Sequence, residues 1–190
     1  HKNPVARVHT NEDTVAVKIS QEKLCLSCHL DSPEVRERTA PSAGFITMYE
    51  HSVHGSALNS GNPKAANCVD CHNSHEVLKS TNDESPTFKL NIPTTCGECH
   101  EQTSVVYLES IHGVALQKGN FESSSCIDCH GEHNIINHDD PQSPVAFQNL
   151  SREVCSPCHS SVRLSDKYGI NADRFETFSD SYHGLAIEGG

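Results

Sequence analysis

The sequence predicts a mainly α fold with much irregular structure, in which short helices and a small N-terminal β-hairpin surround something other than an ordinary protein core. Three observations lead there. The 190-residue chain is 35% hydrophobic but only 5% aromatic, with no Trp and a single Met, so its own side chains supply little core. The motif Cys-x-x-Cys-His occurs five times and uses all ten cysteines. Two Pro-containing stretches, SPTFKLNIPTT and NHDDPQSPVAF, fall between motifs and read as linkers.

The motifs are Cys25-Leu-Ser-Cys28-His29, Cys68-Val-Asp-Cys71-His72, Cys96-Gly-Glu-Cys99-His100, Cys126-Ile-Asp-Cys129-His130 and Cys155-Ser-Pro-Cys158-His159. Cys-x-x-Cys-His is the attachment sequence of a c-type haem. Two sulfurs add to the haem vinyl groups, and the histidine on the same short turn becomes the proximal iron ligand. A zinc ribbon or a disulfide framework would also use paired cysteines. Neither needs a histidine after every pair. Five covalently bound haem c groups are therefore expected, and their apolar faces would form much of the core. The apoprotein would then be close to unfolded, as small metal-dependent domains are.

Along the chain, Val5–Ile19 alternates around the turn-prone Asn11-Glu12-Asp13 and predicts the hairpin. This gives an N-terminal segment, 1–24, ahead of a haem domain, 25–190. Each CxxCH should open a short helix. VVYLESIHG and FETFSDSYHG predict helices that end at the glycines Gly113 and Gly184, with a histidine at the C-terminal end. A repeat organises the rest. CxxCH, then Ser-x-His-Gly-x-Ala, then CxxCHxxH runs over 25–75, again over 96–133, and starts once more at 155–190. The third copy is either a half unit or part of a longer multihaem chain.

Nine histidines remain after proximal ligation: His1, His9, His51, His54, His75, His112, His133, His138 and His183. Five of them carry a pattern. His54, His112 and His183 occupy the phrases SVHGSA, SIHGVA and SYHGLA, and His75 and His133 trail a CxxCH by three residues. These five are the expected distal ligands for five irons. A histidine three residues past the proximal one cannot easily reach round to the far side of its own porphyrin. His75 and His133 should therefore bind a neighbouring haem, while His72 and His130 hold their own. His51, three residues before His54, suits a supporting position on the same helical face. Met48 is the one sulfur alternative and shows no repeat.

Formal net charge is −11, which argues against nucleic acid and in favour of a basic redox partner, a cation-rich surface or another cytochrome. No run of 18 apolar residues is present, so no membrane span is expected. Haem c attachment occurs outside the cytoplasm, so the protein should be periplasmic or extracellular, its export signal removed or omitted. Acidic pairs such as Glu12–Asp13 and Asp139–Asp140 read as solvated loop charges, with calcium binding as the alternative.

With its five CxxCH motifs and five further patterned histidines, spanning Cys25 to His183, the chain resembles the bis-histidine multihaem c-type cytochromes. That family includes the small cytochromes of sulfate and metal reducers and the extracellular cytochromes of metal-reducing microbes. The resemblance implies a closely spaced haem chain of low potential that passes electrons along its length. Some relatives polymerise into filaments, which makes a filament protomer one expected role. A multihaem reductase with one open haem is the enzymatic alternative. The lysine-ligated haem of family nitrite reductases would need CxxCK, and no such motif occurs here.

Overall fold

A computed structural model describes residues 14–29, 44–171 and 173–189. Among these residues there are twelve α-helices, one π-helical segment and no strand. By their contacts they form two compact units, one from residues within 14–127 with Gly131–Ile135, the other from Asp128–His130 with residues within 136–189.

The first unit opens with α1, Thr14–His29, whose last turn carries Cys25, Cys28 and His29. Residues 14–19, expected as the second strand of a hairpin, are the start of this helix; the first strand lies outside the described residues. β-branched residues disfavour a helix only weakly, and docking overrides the preference. Lys18 donates from Nζ to Ala65 O at 2.8 Å and to Asp70 Oδ2 at 2.9 Å. Gln21 Oε1 accepts from Asn67 Nδ2 at 3.0 Å. The helix therefore lies against the second motif and continues unbroken across residues 24 and 25.

Next come α2 (Gly44–His51), α3 (Val53–Asn59), α4 (Cys68–His72), α5 (Ile92–Gly97), α6 (Glu101–Glu109) and α7 (Ile111–Gln117). The recurring Ser-x-His-Gly phrase is a corner between two helices. Ser52 breaks the chain between α2 and α3, and Ser110 between α6 and α7, each with extended backbone. Ser52 Oγ donates to Tyr49 O at 2.7 Å and accepts from Gly55 N at 3.1 Å. Ser110 Oγ repeats this with Tyr107 O at 2.6 Å and Gly113 N at 3.1 Å. One hydroxyl thus ends a helix and caps the next.

The helices expected to finish at Gly113 and Gly184 instead finish before the serine. Gly113 and Gly184 are in the first turn of the following helix, and the histidine sits beside a helix start rather than at a helix end. The glycine is needed for space. A Cβ on Gly55, Gly113 or Gly184 would fall on the carbonyl oxygen of Tyr49, Tyr107 or Phe178. The helix-ending glycines come one helix later. Gly61 (φ 90°) donates to Leu58 O at 2.9 Å while Asn62 N reaches Ala57 O at 3.0 Å, and Gly119 and Asn120 do the same with Leu116 and Ala115.

Leu58 and Leu116 from these helices are essentially fully buried and, with Ile92 and Ala65, make a small core. Each such leucine contributes roughly 1.5–3 kcal/mol. Polar side chains do much of the remaining work. Tyr49 Oη donates to Ala66 O at 2.8 Å, and Tyr107 Oη to Ser124 O at 2.7 Å. Asn67 and Asp70 form a reciprocal capping box at the start of α4, which accounts for the aspartate inside that motif.

The Pro-containing segments are tied loops rather than slack linkers. Asn91 Nδ2 reaches back to Asp83 O and Ser85 O at 2.8 and 2.9 Å. In the second unit, Asn149 Nδ2 reaches Pro141 O and Ser143 O at the same distances. Beyond these asparagines the copies diverge. Cys155 follows Asn149 by one residue more than Cys96 follows Asn91. The extra residue coincides with a π-helical segment, Leu150–Cys155, the usual way a helix absorbs a single insertion.

The second unit holds the end of α8 (Cys126–His130), then α9 (Ser156–His159), α10 (Val162–Tyr168), α11 (Arg174–Ser179) and α12 (Tyr182–Gly189). Ser181 makes the third corner, accepting from Gly184 N at 3.2 Å. Here Phe147 is 70% exposed and Val162 68%, so large apolar side chains line the surface instead of a core.

The corner predicts a ranking. Gly113→Ala should destabilise the protein by about 1–3 kcal/mol through overpacking on Tyr107 O. Ser110→Ala should cost about 1 kcal/mol through the lost cap. Denaturant unfolding of the holoprotein followed by far-UV circular dichroism checks both. A Gly113→Ala protein as stable as wild type would mean the corner is not tight.

Candidate functional site

The first, second and fourth CxxCH lie within α1, α4 and α8, the third runs from α5 through a turn to His100, and the fifth passes from the π-helical segment into α9. The elements then bring motif histidines to patterned ones. The rings of His72 and His133 stand 6.0 Å apart, nearly parallel at 9°. Those of His54 and His100 stand 6.1 Å apart at 48°. Two imidazoles on opposite sides of one metal, with bonds of about 2.0–2.1 Å each, have centroids about 6 Å apart. The separations therefore fit axial ligation of one iron per pair. Among the described residues no three His, Cys, Asp or Glu side chains converge as a metal cage.

The electrostatics favour the neutral imidazole that ligation requires. Burial lowers the pKa of His54, and the neighbouring His100 lowers it further, against a smaller opposing pull from Asp70. Burial likewise lowers that of His72, reinforced by His133 and His29 and opposed by Glu132. Phe45 packs on this group, its ring 5.0 Å from His133 and 6.1 Å from His29. Phe45 carries no repeat signal and was not visible as a site residue in the sequence.

Cysteines of successive motifs also meet. Cys25 hydrogen-bonds Cys68, which lowers the Cys25 pKa to about 7 and raises that of Cys68, whose burial adds to the rise. Cys96 and Cys126 form an equivalent contact that, with burial, raises the Cys96 pKa. Cys71 is raised by burial first, with smaller contributions from Asp70, the nearby Cys99 and Glu98.

The second unit contains a cavity of about 330 Å³ bounded by Phe147, Leu150, Cys155, His159, Phe175 and Phe178 on its apolar walls, with Arg174 at the wall. That size lies within the range of small-molecule pockets. Apolar walls, two residues of the fifth motif and one guanidinium suit a flat apolar group with acidic substituents. Arg174, Phe175 and Phe178 share α11, while Phe147 reaches the cavity from a turn far away in sequence, so together they gave no motif.

Other expected site residues are placed less distinctively. His75 is exposed and its Nδ1 lies 2.9 Å from Ser74 Oγ. His112 and His183 are exposed in the first turns of α7 and α12, and His183 packs edge-on against Tyr182. His51, His138 and Met48 are exposed; His1 and His9 lie outside the described residues. Asp140 Oδ1 accepts from Gln142 N at 2.8 Å, a turn role, and Glu12 and Asp13 lie outside the described residues. No helix among the described residues is long and apolar enough to cross a membrane.

Arg174→Ala should lower the potential of one haem by tens of millivolts, because loss of a nearby positive charge favours the oxidised iron; 59 mV corresponds to a tenfold change for one electron. Spectroelectrochemical titration of the holoprotein reads this as a shift of one component of the curve.

No curated protein and no solved structure matches the chain. A family model described as cytochrome c3 matches residues 2–101, which takes in the first three CxxCH motifs together with His54 and His75. With more than half of the chain matched, the protein belongs to the cytochrome c3 family, multihaem proteins that bind c-type haem covalently and transfer electrons.

Proposed function

We propose that the chain is an electron conduit carrying five covalent haem c groups, each iron held between two histidines. The observation that carries this reading is the pair of facing imidazoles, His72 with His133 and His54 with His100. Cys25, Cys28, Cys68, Cys71, Cys96, Cys99, Cys126, Cys129, Cys155 and Cys158 would form the thioethers. His29, His72, His100, His130 and His159 would be the proximal ligands, and His54, His75, His112, His133 and His183 the distal ones. Haem c, when bound, supplies an iron that exchanges one electron between ferric and ferrous states. Two histidines per iron leave no coordination position for a substrate, which favours transfer over catalysis. Histidine in place of methionine keeps the potential low. The contacts between cysteines of successive motifs support a short path from one group to the next. The acidic chain, at −11 before any propionates are counted, suits a basic partner in the periplasm or outside the cell.

The pyridine haemochrome of the purified protein should give five haems per chain, and the reduced protein should take up no carbon monoxide. Uptake by one haem per chain would replace this reading with that of an enzyme having an open iron.

A second reading makes the chain a filament protomer, and one observation favours it. His133 is packed against His72 and Phe45, whereas His75, at the corresponding place in the first copy, is exposed. An exposed ligand-type histidine is suited to an iron of another subunit. Negative-stain electron microscopy of the natively purified holoprotein should then show filaments that His75→Ala abolishes. Separate small particles from the wild type would remove the filament reading and leave a periplasmic shuttle or a module of a larger cytochrome.

A further inference from the structure

The two ring pairs share a feature that goes beyond bis-histidine ligation as such. Both run between copies of the repeat, and in opposite directions. His54 belongs to the Ser-x-His-Gly corner of the first copy and faces His100, the proximal histidine that opens the second. His133 trails the last motif of the second copy and faces His72 of the first. Neither faces a motif histidine of its own copy.

A backbone contact ties the two supplying segments together. Val53 is the first residue of α3, where an amide has no partner within its helix. Its N–H donates to Ile135 O at 2.9 Å. Val53 adjoins His54, and Ile135 is two residues past His133. One hydrogen bond thus registers the mounts of both outgoing histidines. Phe45, from the first copy, packs its ring 5.0 Å from His133 and fills the side of the crossing. Lys18 and Gln21 hold α1 on the second motif, so His72 is presented from a fixed turn.

We infer that the two copies are clasped by exchanged ligands: His133 is the distal ligand of the haem on Cys68, Cys71 and His72, and His54 is the distal ligand of the haem on Cys96, Cys99 and His100. This rests on the bis-histidine reading above and adds the pairing that joins the copies. Each copy donates one histidine and receives one, so neither completes its irons alone. Two irons then act as cross-links between segments far apart in sequence, closing long loops of the unfolded chain. The same exchange would hold the second and third haems beside one another.

The test uses full-length holoprotein and counts carbon monoxide bound per chain after reduction. His54→Ala should open one iron and bind one carbon monoxide per chain, against none for the wild type. Removing the third haem with Cys96→Ala and Cys99→Ala should leave four closed irons. Adding His54→Ala to that background should then open nothing. The parallel series is His133→Ala in a Cys68→Ala, Cys71→Ala background. If His54→Ala still yields a carbon monoxide site after the third haem is gone, His54 serves another iron and the exchange is overturned. Should a haem-deleted variant fail to accumulate, a structure of the wild-type holoprotein decides between the pairings. His54 and His100 on one iron, and His72 and His133 on another, are expected; any other pairing overturns the inference. Five haems and no carbon monoxide uptake in the wild type would keep the conduit reading intact even then, so the two failures are distinguishable.

Discussion

The aim of His54, His112 and His183 depends on a serine hydroxyl that serves two helices at once. At Ser52, Ser110 and Ser181 it accepts from the amide of the glycine three residues on, and at all three it donates to the carbonyl of the helix before. The bond to the preceding carbonyl holds the corner angle, and the cap decides where the next helix begins. The histidine between serine and glycine is carried in that first turn. It is therefore set by a short backbone hydrogen-bond network instead of by a flexible loop. The glycine lets the two helices come close enough for the hydroxyl to reach both, because any Cβ there would meet the earlier helix's carbonyl.

Such local devices matter because the protein core is thin. Leu58, Leu116, Ile92, Pro93 and Ala65 in one unit, and Ala146 and Leu164 in the other, are the buried apolar residues described. Many of the other interior positions are small or polar: Ser52, Ser85, Ser125, Ser143 and Asn67 are almost wholly buried. Ser52, Ser85, Ser143 and Asn67 each find a use in a turn or a cap, so burial of the group is offset by a bond that orders the chain. Meanwhile Phe147, Val162 and Ile111 remain largely exposed. Apolar side chains left outside a small core, beside turns that carry two cysteines and a histidine, are suited to the faces of haem.

Repetition is expressed more deeply in the structure than in the motifs. The tied loops around Asn91 and Asn149 match bond for bond, as do the tyrosine hydroxyls of Tyr49 and Tyr107 and the Schellman ends at Gly61 and Gly119. The extra residue before Cys155 is taken up within a helix, as a π-helical segment, without disturbing the loop before it. The ligand exchange inferred between copies has a natural origin in such a tandem array. A duplicated unit whose outgoing histidine reaches its neighbour closes more irons with each added copy.

The sequence by itself determined the chemistry. Covalent spacing within CxxCH is local, since two cysteines and a histidine on one turn need no distant partner to be recognised. The patterned histidines were legible for the same reason, and the low aromatic content foretold a sparse core. Tertiary structure decided what depends on contacts across long separations. Which histidine faces which could not be read from spacing, because His54 and His100, or His72 and His133, meet only through helix packing. Phe45 reaches His133 from a distant helix, and Phe147 meets Arg174, Phe175 and Phe178 of α11 from a distant turn, so neither grouping leaves a periodic trace. Local preference also misled in two places. The alternating residues 14–19 became helical once α1 docked through Lys18 and Gln21, and Gly113 and Gly184, read as helix ends, were starts because the serine hydroxyl outcompeted the continuing helix for the backbone amide.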